Sequence, residues 1–199
     1  MTDVDIRLGL TPTDLKYREQ QVKRPDSWVN LDAENSIEFR LLQQDFGDEI
    51  VKSRLFRDEK TIWVKKEKIV AICKLLRDNE ETRYNFLSDL TAVDLLRIMA
   101  EDEPRFELVY NLYSLKTFQR LRVKAQVTDD DPTIDTVENV WPAANWPERE
   151  VFDLFGIKFN NHSDLRRIQM PDDWVGHPLR KDFPLGGEIV EFSFNVRER

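Results

Sequence analysis

The sequence has little of what a protein needs to hold a cofactor or to react covalently. Its 199 residues include one cysteine, two histidines and six glycines. A disulfide within the chain and a cluster held by four thiolates are therefore excluded. Ligands for a metal are few, and a glycine-rich phosphate loop has little to draw on. No GxSxG, HExxH, Walker or GxGxxG pattern is present. The residues alone do not equip this chain for difficult chemistry.

Long apolar runs and basic runs are also missing. The longest unbroken aliphatic stretch, Ile69–Cys73, is far shorter than the ~20 residues that span a membrane. Acidic residues outnumber basic ones by 38 to 30, a net charge of −8, and no more than two basic residues are adjacent. Nucleic-acid binding needs a basic face, so we expect no nucleic-acid partner. Because no apolar core of signal-peptide length opens the sequence, we expect a soluble, cytoplasmic chain.

The sequence does contain enough apolar material for a folded body, with 40% hydrophobic and 11% aromatic residues. We divide it into a polar N-terminal extension over 1–35, a folded domain over 36–156 and an extended tail over 157–199. The tail keeps aromatic residues without periodicity, and its seven basic and seven acidic residues cancel. Such a tail is expected to pack on something else, either its own body or a partner chain.

Periodicity in the sequence predicts the elements of the folded domain. In 118–127, apolar residues such as Leu121 and Val123 alternate with charged ones, and this run is expected to pair with 105–115 as an antiparallel hairpin. The other predicted elements are a helix from Ser36, strands over 49–56, 60–65 and 83–94, a helix over 67–78, a short helix over 135–141, and a helix over 146–155 capped by Asn145 and ended by Gly156. We predict an α+β fold in which a few helices pack on a mixed or antiparallel sheet, followed by the extended tail.

The densest group of charges lies in the last predicted helix. At about 100° per residue, Glu148 and Glu150 point to different sides, so they do not converge on a substrate as an acid and a base must. Both complement the helix dipole in the first turn, and Arg149 and Asp153, four residues apart, are expected to pair on the helix surface. The residues favour a capped, charged helix; a free-standing enzyme that uses Glu148, Glu150 or Asp153 is the alternative.

The two histidines and the cysteine favour structural roles. His162 and His177 are fifteen positions apart, unlike the short spacing of most ligand pairs. Hydrogen-bonded structural histidines are therefore favoured over a mixed metal site with carboxylates such as Asp164 and Asp172. Cys73 lies on an apolar helix face and is expected to be a small core residue rather than a nucleophile.

Longer motifs carry a resemblance to a known family. They are WPEREVFDLFGI over 146–157, then Phe159, NH over 161–162, DLRRI over 164–168, MPDDW over 170–174, GHPLRKDFPL over 176–185, and FLSDLTAVD over 86–94. Together they resemble the signature of the 30 kDa subunit of the proton-pumping NADH:quinone oxidoreductase, respiratory complex I. The likeness covers residues 36–187. Ser163 stands where the family usually has proline, and Gln169 stands where an aliphatic residue is common.

The resemblance implies a subunit of the hydrophilic arm, on the cytoplasmic side of the bacterial inner membrane. It implies tight binding to the quinone-site subunit, which is of the 49 kDa type, close to iron–sulfur subunits. In this family FMN and the iron–sulfur clusters lie on other subunits, which carry electrons from NADH to quinone and couple this to proton translocation. This chain would contribute assembly and rigidity, with no catalytic, cofactor-binding or metal-binding residue of its own.

The resemblance also turns the charged and aromatic residues of the motifs into a predicted partner interface. Trp174 and Phe183 would be apolar anchors, and the basic residues of the tail would pair with acidic groups of the quinone-site subunit. The predicted interface residues are Trp146, Glu148, Arg149, Glu150, Asp153, His162, Asp164, Arg166, Arg167, Asp172, Asp173, Trp174, His177, Arg180, Lys181, Asp182 and Phe183. The alternative with the same architecture is a scaffold subunit of a related membrane-bound hydrogenase or F420-type oxidoreductase.

Overall fold

The computed structural model describes residues 33–98 and 103–184. The predicted N-terminal extension lies outside the described residues, apart from a 3₁₀ turn at Ala33–Asn35, and so does the tail beyond Pro184. Within the described ranges, no helix is both long enough and apolar enough to cross a membrane.

Five strands form one mixed sheet. They are β1 (Ile50–Phe56), β2 (Glu59–Val64), β3 (Phe86–Asp94), β4 (Phe106–Tyr113) and β5 (Arg120–Val127). Their order across the sheet is β1-β2-β5-β4-β3, with β2 and β5 parallel and the other neighbours antiparallel. Two short strands, β6 (Thr133–Asp135) and β7 (Lys158–Asn160), pair in parallel. The predicted α+β class and the predicted hairpin of β4 with β5 are confirmed.

Three helices build a single core with one face of this sheet. They are α1 (Ile37–Phe46), α2 (Ile69–Asp78) and α3 (Asn145–Phe155). The hydroxyl of Ser36 accepts a hydrogen bond from the N–H of Phe39 at 3.1 Å, so Ser36 caps α1 as predicted. Cys73 is fully buried on α2, which confirms its predicted place in the core.

Alternation along the strands decides which side chains enter the core. In β5, Leu121, Val123 and Ala125 are buried against the helices, whereas Arg122 and Lys124 point to the opposite face and stay partly exposed. The helices, β6 and β7 all contribute to the one core cluster. The sheet is therefore apolar on one face and charged on the other.

The predicted short helix over 135–141 is wrong. Residues Thr133–Asp135 are extended, because they pair with β7 about 25 positions further along the chain. The few residues left before Pro142 form only a turn, in which the N–H of Trp141 donates to the carbonyl of Val137 at 2.9 Å. A contact between distant segments thus overrides the local helical signal.

The start of α3 also differs from prediction. Asn145 is the first residue of the helix rather than its cap, because a 3₁₀ turn at Pro142–Ala144 runs directly into α3. Ala144 occupies the cap position with helical backbone angles. The other end is as predicted: Gly156 terminates the helix in the left-handed conformation, at φ +77°.

Candidate functional site

Helix α3 carries the first part of the signature and presents its side chains to opposite sides. Glu148 and Asp153 are both 0% exposed, whereas Trp146 is 71% exposed. Because residues three, four or seven apart share a helix face, Glu148 lies in line with the buried Val151 and Phe155. Asp153, which was predicted to lie on the helix surface, instead faces the interior, and so does Glu148. The apolar spacing of Val151 and Phe155 was the signal that could have placed Glu148 inside.

The Glu148 carboxylate is held by neutral donors. One oxygen accepts a hydrogen bond from the hydroxyl of Thr136, and the other accepts from the N–H of Val137 at 2.8 Å. Burial raises the pKa of Glu148 to about 7, although these two bonds oppose the rise, and the nearby charge of Glu138 adds to it. The carboxylate can therefore gain or lose a proton near neutral pH inside the protein.

Buried groups of the core surround that carboxylate. The pKa of the Cys73 thiol is raised, chiefly by burial and then by the charge of Glu148, and the same two causes raise the pKa of Tyr110. The Tyr110 hydroxyl has no hydrogen-bond partner among the described residues. Glu148 thus sits in an environment that opposes its negative charge.

His162 lies beside Glu148 as a hydrogen-bonded side chain. Its Nε2 atom lies 3.8 Å from a Glu148 oxygen and 3.0 Å from the carbonyl oxygen of Asn145. Its Nδ1 atom accepts a hydrogen bond from the N–H of Asp164 at 3.0 Å. Since Nδ1 accepts, the proton must be on Nε2, which donates to Asn145. The predicted structural role of the histidine is confirmed.

The Asp153 carboxylate organises the first part of the tail. One oxygen accepts from three consecutive backbone N–H groups, those of Ile168, Gln169 and Met170, at 3.0, 2.7 and 2.8 Å. The other accepts from the Arg167 guanidinium at 2.6 Å. Burial alone would raise the pKa of Asp153, but these donors outweigh it and hold the pKa below its usual range.

The predicted pair of Arg149 with Asp153 is wrong. Arg149 donates instead to the carbonyl oxygens of Arg166 and Arg167 at 3.1 and 3.0 Å. Asp153 is turned into the protein and is occupied by Arg167. The four-residue spacing brings Arg149 and Asp153 close along the helix, but residues 166–170 of the tail pack against the helix and form hydrogen bonds with both side chains instead.

The tail then caps the C-terminal end of α3. The Nδ1 atom of His177, the N–H of Leu179 and the Nε atom of Arg180 donate to the carbonyl oxygens of residues 153, 154 and 155, at 2.9, 3.1 and 2.6 Å respectively. These carbonyls have no partner within the helix. Gly156 allows the close approach, because a Cβ there would lie 2.6 Å from the His177 ring and 2.8 Å from Arg180. His177, too, is a hydrogen-bonded structural residue as predicted.

A second anchor ties the tail to the sheet. Arg105, only 5% exposed, binds Asp94 through two hydrogen bonds of 3.2 and 2.9 Å, and reaches Asp182 at 2.7 Å and Asp129 at 2.8 Å. The N–H of Lys181 donates to Asp94 at 2.8 Å. Asp94 first, then Asp182 and Asp129, raise the pKa of Arg105. The sequence reasoning missed Arg105 and Asp94, although Asp94 ends the motif FLSDLTAVD.

The two predicted aromatic anchors meet each other. The rings of Trp174 and Phe183 stack with centroids 6.5 Å apart. Gly176, at φ +94°, lies under this pair, and a Cβ there would come within 2.8 Å of the Phe183 ring. The Nε1 atom of Trp174 is buried and has no acceptor among the described residues, so the stack carries an unused hydrogen-bond donor.

The other predicted interface residues lie at the surface. The exposed members are Trp146, Glu150, Asp164, Arg166, Asp172, Asp173, Lys181 and Asp182. Beside Trp146 runs a groove of about 700 Å³, which we call the α3 groove; it is lined by Glu138, Pro142, Ala143, Asn145, Trp146, Pro147, Glu150, Ile168 and Gln169. Over the described ranges, no group of three or more His, Cys, Asp or Glu side chains could hold a metal ion. An exposed tryptophan beside a groove is a geometry that suits the docking of another protein.

The chain is similar to proteins of one known family. Residues 62–189 match the family described as respiratory-chain NADH dehydrogenase, 30 Kd subunit. The chain is 56% identical over 155 residues to the C-subunit of NADH-quinone oxidoreductase from Geotalea uraniireducens, covering 78% of this chain and 91% of that protein. It is 55% identical over 155 residues to the Geobacter sulfurreducens protein of the same name, covering 78% and 93%.

A solved structure shows the same fold at greater distance. A chain of the membrane-bound sulfane sulfur reductase, an archaeal respiratory membrane complex, matches with a TM-score of 0.61 at 23% identity, over 80% of this chain and 95% of that chain. The sequence matches place the chain in the class of respiratory-chain oxidoreductase subunits. It belongs to the family of the 30 kDa subunit of respiratory-chain NADH dehydrogenase, a component of the peripheral arm of NADH-quinone oxidoreductase, complex I. The hydrogenase or F420-type alternative is not favoured.

Proposed function

We propose that this chain is a non-catalytic scaffold of complex I that docks on the quinone-site subunit, next to iron–sulfur subunits, on the cytoplasmic side of the bacterial membrane. FMN, the clusters, NADH and quinone would be bound by the other subunits. The chain would hold its neighbours in the positions that electron transfer from NADH to quinone requires. The name that the relatives share supports membership of the complex, and the geometry around α3 supports the docking role.

The exposed indole of Trp146 is the observation that carries this proposal. Trp146 is 71% exposed at the mouth of the α3 groove, where Ile168 is also 39% exposed. A solvated tryptophan beside a groove of mixed polarity is typical of an interface anchor, because tryptophan dominates the binding energy of many interfaces.

The charged residues then divide into two groups with different tasks. Asp153, Arg167 and Arg180 bind their own chain and fix the shape of the tail. Arg166, whose side chain is 71% exposed, and Lys181 lie outside and would pair with acidic groups at the rim of the interface. The first group would fix the shape of the tail, and the second group, Arg166 and Lys181, would contact the quinone-site subunit.

A tryptophan truncation with a matched control tests this proposal. Trp146→Ala should weaken co-purification of the quinone-site subunit from native membranes roughly 30-fold, the loss expected of an interface hot spot, and lower NADH:quinone reductase activity in parallel. Phe118→Ala is the control, because Phe118 is 73% exposed at the β4–β5 turn, away from the groove. Both variants should unfold at the wild-type urea concentration.

Three results would contradict the proposal. Undiminished association of the quinone-site subunit with the Trp146→Ala chain would remove the α3 groove from the interface. Turnover of NADH or a quinone analogue by the purified chain alone would contradict the non-catalytic role. Equal losses for Trp146→Ala and Phe118→Ala would show a general effect of truncation rather than a docking site.

A further inference from the structure

The sheet face opposite the helices carries an ordered set of side chains, which we call the open face. The strand register aligns two rows across it: Lys52, Trp63, Lys124, Val109 and Thr91 in one, and Arg54, Thr61, Arg122, Asn111 and Asp89 in the next. Arg120, two residues before Arg122 on β5, faces the same way. Neither row belongs to the core cluster that the helices form with the sheet.

Positive charge collects on this face although the whole chain has a net charge of −8. Lys124 pairs with Glu107 at 2.5 Å and Arg122 pairs with Glu59 at 3.0 Å. The remaining cations of the face, Lys52, Arg54 and Arg120, have no carboxylate partner among the described residues. Two sit on the edge strand β1 and one at the start of the central strand β5, so the excess positive charge lies over the β1 half of the face.

Trp63 lies at the centre of this charge. Its indole is only 6% exposed, because the nitrogen of Lys52 lies 4.6 Å, that of Lys124 5.0 Å and the guanidinium carbon of Arg54 5.5 Å from the ring centroid. The indole N–H donates to Glu107 at 2.6 Å. Cation–π contacts with the indole stabilise each of these cations. Among the described residues, Glu107 is the carboxylate that pairs with one of them, Lys124.

Arg54 shows most directly that a partner group is missing. Its Nε atom is buried and has no hydrogen-bond acceptor among the described residues. A buried donor without an acceptor costs free energy, and more so when the donor is charged. A negatively charged group that arrives from outside would offset the repulsion between Arg54 and the neighbouring cations.

A concave region extends the face beyond Trp63. It has a volume of about 430 Å³, and its polar lining includes Ser88, Asn111, Arg120 and Arg122. Arg54 and Arg120 lie on strands two steps apart and two residues out of register. At about 4.8 Å between strands and 3.3 Å per residue, their Cα atoms are roughly 12 Å apart, a distance that an extended segment of four residues spans.

We propose that the open face docks an acidic, extended polypeptide segment of another subunit. Carboxylates on that segment would meet Arg54 and Arg120, and its backbone would lie across β2 and β5 over Trp63. A polypeptide fits better than a nucleic acid, because it can place neutral residues beside Glu59, Glu107 and Asp89, whereas a nucleic acid carries a phosphate on every nucleotide. This surface lies on the opposite side of the sheet from the α3 groove, so the inference stands independently of docking on the quinone-site subunit.

Charge reversal with a matched control tests the proposal in the full-length chain. The open-face variant is Lys52→Glu, Arg54→Glu and Arg120→Glu, and the control is Lys68→Glu, Lys74→Glu and Lys158→Glu, three exposed cations elsewhere with the same change of charge. The probe is a fluorescent peptide of alternating Glu and Thr, with a Lys–Thr peptide for comparison. By fluorescence anisotropy the open-face variant should bind the Glu peptide at least roughly tenfold more weakly. The control should match the wild-type chain, and only the wild-type and control affinities should fall with salt.

Cross-linking in the assembled complex tests the natural occupant. A photo-reactive phenylalanine at Ser88, an exposed residue that lines the concave region together with Arg120 and Arg122, should capture a peptide rich in Asp and Glu from another subunit. Capture of lipid, nucleic acid, a second copy of this chain or residues 1–32 of the same chain would overturn the proposal, as would no capture at all. Equal weakening in both charge variants would also overturn it. If the triple variant fails to fold, the single change Arg120→Glu at an exposed position decides the peptide experiment.

Discussion

Glu148 and Asp153 stand at the two ends of α3, and both are 0% exposed. Yet burial raises the pKa of Glu148 to about 7, whereas the donors around Asp153 hold its pKa below the usual range. Glu148 has one hydroxyl and one N–H as donors. Asp153 has three N–H groups and the guanidinium of Arg167. Both are closed to solvent, but Glu148 lies deeper in the protein, so the depth of burial together with the number and charge of the donors decides whether each carboxylate stays ionised.

The comparison separates two tasks within one helix. Asp153 uses its charge to bind the returning tail, and it is useful only while it is ionised. Glu148 binds no cation as closely as Asp153 binds Arg167, at 2.6 Å, and its carboxylate can carry a proton without losing its place. The structure at the C-terminal end of α3 therefore requires an ionised Asp153, whereas the structure at the N-terminal end persists when Glu148 is protonated.

Removing the charge of Asp153 should have the largest effect. Asp153→Asn leaves the buried Arg167 without a counter-charge, and it replaces the carboxylate that accepts from three N–H groups by a neutral amide. The free energy of unfolding should therefore fall by about 3–5 kcal/mol. Urea unfolding measures this, and limited proteolysis should show faster cleavage after Arg166 and Arg167. Asp173→Asn, at an exposed position, is the control. A loss no greater than that of the control would contradict the role given to Asp153.

Neutralising Glu148 should change the pH dependence of stability. Its pKa is about 7 in the folded state against an ordinary 4.5, so between these values the folded chain keeps a proton that the unfolded chain releases. The stabilisation that the protonated Glu148 contributes is fully present below pH 4.5. It is lost as the pH rises to 7, which lowers the free energy of unfolding by about 3 kcal/mol. Glu148→Gln removes that decline.

Denaturant titrations from pH 4.5 to 7 measure the Glu148 effect. The stability of Glu148→Gln relative to the wild-type chain should rise across this window and level off above it. Glu150→Gln, at an exposed position of the same helix, should follow the wild-type curve. Parallel curves for the wild-type chain and Glu148→Gln would show that Glu148 is ionised throughout.

Replacing Gly156 at the C-terminal end of α3 should have a smaller effect on stability. Gly156→Ala forces a side chain into the left-handed conformation and against His177 and Arg180, and should cost about 1–3 kcal/mol. Gly47→Ala is the control, because Gly47 has a right-handed helical backbone and its Cβ would meet only the end of the Gln43 side chain. Thermal unfolding compares the two. Equal melting temperatures would show that the tail moves aside at little cost.

The sequence could predict features that depend on neighbouring residues. The alternation in 118–127 identified β5 and its hairpin with β4, and the spacing of Ile69, Ile72 and Leu76 identified α2. Gly156 marked the end of α3. In each case the residues that carry the signal also make the structure, through a period of two, a helical face or a left-handed turn.

Features that depend on distant residues could not be predicted in this way. The parallel pairing of β2 with β5 joins segments about 60 positions apart, and no local pattern encodes it. Arg149 and Asp153 were expected to pair because nothing in their own helix revealed that residues 166–170 would return to it. For the site, the family motifs identified the right stretch of chain, but they did not distinguish the buried Glu148 and Asp153 from the exposed Trp146. The interface role of the motif residues stays a prediction.

The bond between Asp94 and the N–H of Lys181 joins residues 87 positions apart. A chain is made from its N-terminus, and contacts of such separation form late because a long loop must first close. Until residues 177–182 have been synthesised, the last carbonyls of α3 and one face of the Asp94–Arg105 pair can only be hydrated. The protein therefore acquires this surface only after residues 177–182 have emerged, and a partner that recognises the surface will select chains that contain them over shorter ones.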